Sequence, residues 1–305
     1  MYPPNPTGSE KKRYIFKNLL DFSFSTPILL KERKIMTIFK TLASKEVSGR
    51  KKKYFSSLDR KGYDLYQATD IGWTDRVKEL LDQRVKPVTD YNEALNNAAN
   101  NGHTDIVKLL IPLIDPKAND NQALEYAAEE GYTDIVKLLI PYSDVKADDN
   151  EALNIAVMNG HVDIVKLLIP VNNPKNNDSF ALRLAAQNGH MEVVKLLIPV
   201  SDPEADHSQA LRYTVLNGHT DVARLLIPVS VPDAEDSYAL RTAAYYGHTE
   251  LVKILIPLSN PRARKSDALK YSALNGYKDI VKLLIPHSDM EDEETLKIIE
   301  KMLDK

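Results

Sequence analysis

Five histidines, His103, His161, His190, His219 and His248, occupy one position of a recurring pattern. A row of imidazoles is metal-binding chemistry only if the rings converge. Zinc needs each nitrogen at about 2.0–2.1 Å, whereas equivalent positions on stacked helices lie about 8–10 Å apart. Neighbouring rungs cannot share an ion, so the histidines are assigned to supporting a turn between helices. Asp105 with Lys108, and the same pair in later units, has the side-chain types for acid–base work. Spaced i, i+3 on one helix, such a pair is a weak surface ion pair. Cysteine is absent from the 305 residues, which excludes disulfides, thiol catalysis and cysteine-ligated zinc. Eight of the eleven glycines fall in the recurring register, leaving Gly8, Gly49 and Gly62. Those three cannot build a phosphate-cradling loop. No Ser/His/Asp constellation stands apart from the register. The chain is read as a non-enzyme with no cofactor and no small-molecule substrate.

The pattern that absorbs these residues is a repeat. The run from Asn101 to Pro112, Asn-Gly-His-Thr-Asp-Ile-Val-Lys-Leu-Leu-Ile-Pro, returns along the chain with small changes. Its glycines are Gly72, Gly102, Gly131, Gly160, Gly189, Gly218, Gly247 and Gly276, spaced by 30 and then by six intervals of 29. Each unit reads as two short helices. A polar residue (Asn92, Asn121, Asn150, Ser179, Ser208, Ser237 or Ser266) is expected to cap the first helix. Ala-Leu and usually Ala-Ala follow, small enough for close approach of neighbouring helices, and the glycine ends the helix in a left-handed turn. The second helix carries an acid in its first turn, favourable at the positive end of the helix dipole. Its apolar run, Ile-Val-x-Leu-Leu-Ile, is stopped by Pro112, Pro141, Pro170, Pro199, Pro228, Pro257 and Pro286.

Such a pair cannot bury its apolar faces alone, so the units must stack, and the end units must differ. Unit one puts Arg76 and Glu79 where later units have Ile and Leu, which suits a solvated outer face. After Pro286 an acid-rich segment leads to Leu296, Ile298, Ile299, Met302 and Leu303, a closing half-unit. The expected fold is all-α, a solenoid of stacked helix–turn–helix repeats over residues 62–305.

The motif Ala-Leu-x-x-Ala-Ala-x-x-Gly-His-x-Asp-Ile-Val-Lys-Leu-Leu-Ile resembles the helix–turn–helix half of the ankyrin repeat over roughly residues 63–304. The usual ankyrin period is about 33 residues, so each unit is short by about four, all between Leu-Leu-Ile and the next Ala-Leu. The family's Thr-Pro-Leu-His is replaced by Glu93-Ala-Leu-Asn96 and its equivalents. The resemblance therefore implies projecting fingers that are short or absent. It also implies a scaffold that binds a partner protein through its concave face, in the cytoplasm. For a virus or an intracellular bacterium, that place would be the host cytoplasm or nucleus.

Binding should then use positions that vary within the constant frame. From Arg183 onward the residue after Ala-Leu is cationic: Arg183, Arg212, Arg241 and Lys270. Leu216, Tyr245, Tyr246 and Leu274 lie beside that ladder, and Arg and Tyr are enriched at interface hot spots. These eight are the candidate partner-binding residues. A plainer account is that the cations only balance the body's charge.

Net charge of −3 hides a division: residues 1–61 carry +10 and residues 62–305 carry −13. The basic arm, with Arg50-Lys-Lys-Lys53, is expected to be partly disordered or loosely helical. It supplies a second functional reading, contact with nucleic acid or an anionic membrane while the repeats present cargo. Met36 offers an alternative start, which would leave residues 1–35 outside the native protein.

Overall fold

The computed structural model describes residues 65–83, 91–113, 121–290 and 292–303. The expectations attached to the basic arm lie outside the described residues. Repeat 1 is α1 (Leu65–Asp70) and α2 (Thr74–Asp82), repeat 2 is α3 (Tyr91–Asn100) and α4 (Thr104–Leu110), and repeat 3 is α5 (Gln122–Glu130) and α6 (Thr133–Leu139). Repeat 4 follows as α7 (Ala147–Met158) and α8 (Val162–Leu168), and repeat 5 as α9 (Asn176–Asn188) and α10 (Met191–Leu197). Repeat 6 is α11 (Ala205–Leu216) and α12 (Thr220–Leu226), and repeat 7 is α13 (Ala234–Tyr246) and α14 (Thr249–Leu255). Repeat 8 is α15 (Ala263–Leu274) and α16 (Lys278–Leu284), and α17 (Glu293–Leu303) closes the stack. No strand occurs among the described residues.

The apolar positions explain the stacking. Ala94, Leu95, Ala98 and Ala99 of α3 are buried, as are Ile106, Val107 and Leu110 of α4, and their equivalents recur to Leu284. All join one continuous core. Neighbouring first helices pack more closely than neighbouring second helices, as their Ala-Ala pairs allow.

The polar residue before each Ala-Leu does different work from the expected N-cap. Asn92 lies within α3, and Asn121 precedes α5 without a side-chain cap bond. Asn121 Oδ1 instead accepts the backbone N–H of Asp144 at 2.8 Å. The Oγ atoms of Ser179, Ser208, Ser237 and Ser266 accept N–H groups of Asp202, Val231, Asn260 and Asp289 at 2.7–2.8 Å. Asn150 donates to the Asn173 carbonyl. Each buried polar group thus ties its repeat to the loop of the next. Removing the hydroxyl with Ser237→Ala leaves the Asn260 N–H without that acceptor. The expected cost is about 1–2 kcal/mol, measurable as faster hydrogen exchange at Asn260.

The reason for the changed role is backbone geometry. Asn177, Asp178 and Ser179 all have positive φ, as do Asp206 to Ser208, Glu235 to Ser237 and Arg264 to Ser266. Each triplet is a left-handed turn that aims the serine at the following repeat instead of along its own helix. Left-handed backbone costs a non-glycine residue about 1–2 kcal/mol, against about 0.5–1 kcal/mol for glycine's extra entropy. Lys265 is exposed with φ 58°, so Lys265→Gly is expected to raise stability by about 0.5–1 kcal/mol in thermal denaturation.

Each of the seven prolines ends the α-helix at the preceding leucine but does not end helical winding. It sits in a 3₁₀ turn, Ile111–Leu113 in repeat 2 and likewise through Ile285–His287 in repeat 8. Four residues then link to the next first helix in repeats 4 to 8, as residues 201–204 do. Such links are too short for a projecting hairpin. At the N-terminal end Glu79 is exposed at 44%, but the Arg76 side chain is only 12% exposed and pairs with Glu79 at 3.2 Å. Arg76 therefore lies against the protein and is not solvated as expected. At the other end α17 packs on both helices of repeat 8 and buries Ile299.

Candidate partner-binding face

The histidine row is built into the stack. His103 Nε2 bonds the Asp70 carbonyl at 3.0 Å, and His161, His190 and His219 bond carbonyls of Glu129, Met158 and Gln187 at the same distance. His248 reaches the Leu216 carbonyl at 3.5 Å. Each ring lies on the turn glycine of the preceding repeat, and Tyr132 and Tyr277 do the same over Gly102 and Gly247. Among the described residues no group of three His, Asp or Glu side chains is placed to hold a metal ion.

The cation ladder is also drawn into the fold. Arg183 donates to the Asn177 carbonyl at 3.1 Å and Arg212 to the Asp206 carbonyl at 3.0 Å. Arg241 donates to the carbonyls of Glu235 and Asp236, both at 3.0 Å. The accepting carbonyls belong to the left-handed turns. Arg183 also lies over Phe180, and Tyr238 sits between Arg212 and Arg241 at 5.4 and 5.7 Å. The three arginine side chains are only 13–19% exposed. Lys270 differs: it is 41% exposed and pairs with Asp292 of the closing segment at 3.4 Å. Phe180 and Tyr238 stand three residues before Arg183 and Arg241, a spacing that places aromatic and guanidinium on one helix face and is the signal in the sequence for this contact.

The apolar candidates lie at the C-terminal ends of the first helices. Tyr245, Tyr246 and Leu274 are 46%, 49% and 53% exposed, whereas Leu216 is half-buried. Tyr245 meets Tyr246 edge-to-face at 4.9 Å and Tyr271 at 5.6 Å. Tyr246 stacks on His248. Edge-to-face packing holds these rings in place while leaving part of each in water. Tyr271, absent from the candidates, fixes Tyr245.

On the second helices the i, i+3 pairs form, as between Asp105 and Lys108 at 3.4 Å and Asp163 and Lys166 at 3.1 Å. In repeat 7 the hydrogen bond and charge of Lys253 hold the Glu250 carboxyl below the usual carboxylate range. No helix among the described residues is long and apolar enough to cross a membrane.

Comparison with known proteins agrees with this architecture. The family described as ankyrin repeats (3 copies) matches residues 65–150, 153–236 and 211–294. No curated protein matches the chain. Stacked helix pairs joined by left-handed glycine turns, together with a family match across most of its length, make this chain a member of the ankyrin repeat family.

Proposed function

We propose that the chain is a scaffold that binds a partner protein through the first-helix row of repeats 6 to 8. Ankyrin repeats are generally protein–protein interaction modules. The observation that carries the reading here is the exposed group Tyr245, Tyr246 and Leu274, large apolar side chains clustered on one row. Exposed apolar patches of this kind mark association surfaces, and tyrosine binds at low entropic cost. The arginines of the ladder support the patch from within the stack, and Lys270 is the cation nearest to solvent among the four.

The test is quantitative affinity purification from the source cells with the wild-type chain and with Tyr245→Ser/Tyr246→Ser and Leu274→Ser. A protein retained by wild type should fall by at least about tenfold with either variant, as for hot-spot residues. Equal retention by all three chains would overturn this placement.

A further inference from the structure

The row just described changes chemistry along the stack, and the change specifies a partner. In repeat 3 the two residues before the turn glycine are Glu129 and Glu130, both exposed. In repeat 7 the same positions hold Tyr245 and Tyr246. Between them the residue before the glycine is Asn159, Asn188 and Asn217 in turn. Each of these asparagines donates its Nδ2 to a carbonyl of its own helix at 2.8–3.0 Å. That bond uses one of the two amide N–H groups, so each asparagine keeps its oxygen as an acceptor and its second N–H as a donor for a partner. The strip thus runs from carboxylates through neutral amides to aromatic rings.

We infer that the partner presents an extended segment with a basic cluster at one end and an aromatic or aliphatic anchor at the other. The basic cluster lies over Glu129 and Glu130, backbone N–H and C=O groups face the asparagines, and the anchor meets Tyr246 and Leu274. Repeats 3 and 7 are four steps apart, about 32–40 Å at about 8–10 Å per stacked helix. That is about 10–12 residues of extended chain. The carboxylates of Glu129 and Glu130 repel a polyanion at that end and favour a basic segment. This partner chemistry presupposes the binding face proposed above and adds its polarity and its length.

The test is selection of phage-displayed random peptides of about 20 residues, long enough to span the strip, on the immobilised full chain. Enriched peptides should carry a Lys/Arg cluster about 10–12 residues from an apolar pair. Glu129→Lys/Glu130→Lys and, separately, Tyr246→Ser/Leu274→Ser should each weaken a selected peptide at least about tenfold. Peptides lost with the tyrosine variant but indifferent to the glutamate variant would overturn the charge polarity and leave the binding face standing. Peptides indifferent to both variants, or no enrichment, would overturn both.

Discussion

Gly189→Ala is expected to destabilise the stack by about 3 kcal/mol, whereas Gly276→Ala should cost only about 1–2 kcal/mol. Both glycines have left-handed backbone, with φ 73° and 78°. An alanine at either position therefore meets the same conformational penalty. They differ in what a methyl group would touch. At Gly189 it would lie 2.7 Å from His219 Nδ1, while at Gly276 nothing comes within 4 Å. The His219 ring cannot simply swing aside, because its Nε2 is bonded to the Gln187 carbonyl. Equilibrium denaturation with hydrogen exchange in repeats 5 and 6 measures the difference. Adding His219→Ala to Gly189→Ala should recover most of the packing loss, since neighbouring changes couple. Equal losses for the two glycine variants would show that the ring contact contributes nothing. The pair also explains why glycine and an aromatic or imidazole ring recur together: each repeat presents a bare backbone for the ring of the next.

Arg241→Ala is expected to cost about 2–3 kcal/mol, centred on repeat 7. The guanidinium holds two carbonyls of the left-handed turn, lies over Tyr238 and faces Asp267 at 3.8 Å. Arg241→Lys should restore little, because an ammonium lacks the planar fork that reaches two carbonyls together. Hydrogen exchange across residues 233–246 reads the effect, and unchanged protection would refute the supporting role. Lys270→Ala provides the contrast, since its pair with Asp292 is partly solvated and worth at most about 1 kcal/mol. Loss of a partner on removing Arg241 would accompany a loosened repeat. Tyr246→Ser leaves the turn bonds intact and is the cleaner probe of contact.

The architecture was legible in the chain because it is local and repeated. Glycines at intervals of 29, Ala-Ala on one helix and Ile-Val-x-Leu-Leu on the next determine two buried faces, and stacking is their only common solution. The short link between repeats likewise showed in the missing residues before each Ala-Leu. What the sequence could not determine was where side chains reach between repeats. Ser208 reads as a helix cap, but three left-handed residues turn it toward Val231, a position 23 residues on. Arg212 reads as a free cation facing a groove, but it closes on a carbonyl six residues back and on a ring of the next repeat. Left-handed backbone has no signature in Glu, Arg, Lys or Ser, which adopt it at Glu235, Arg264, Lys265 and Ser266, so the fate of those side chains depends on the three-dimensional turn. Tyr246 and Leu274 remain 49% and 53% exposed beside the rings that cover the turn glycines, a fact of packing that residue type alone does not carry.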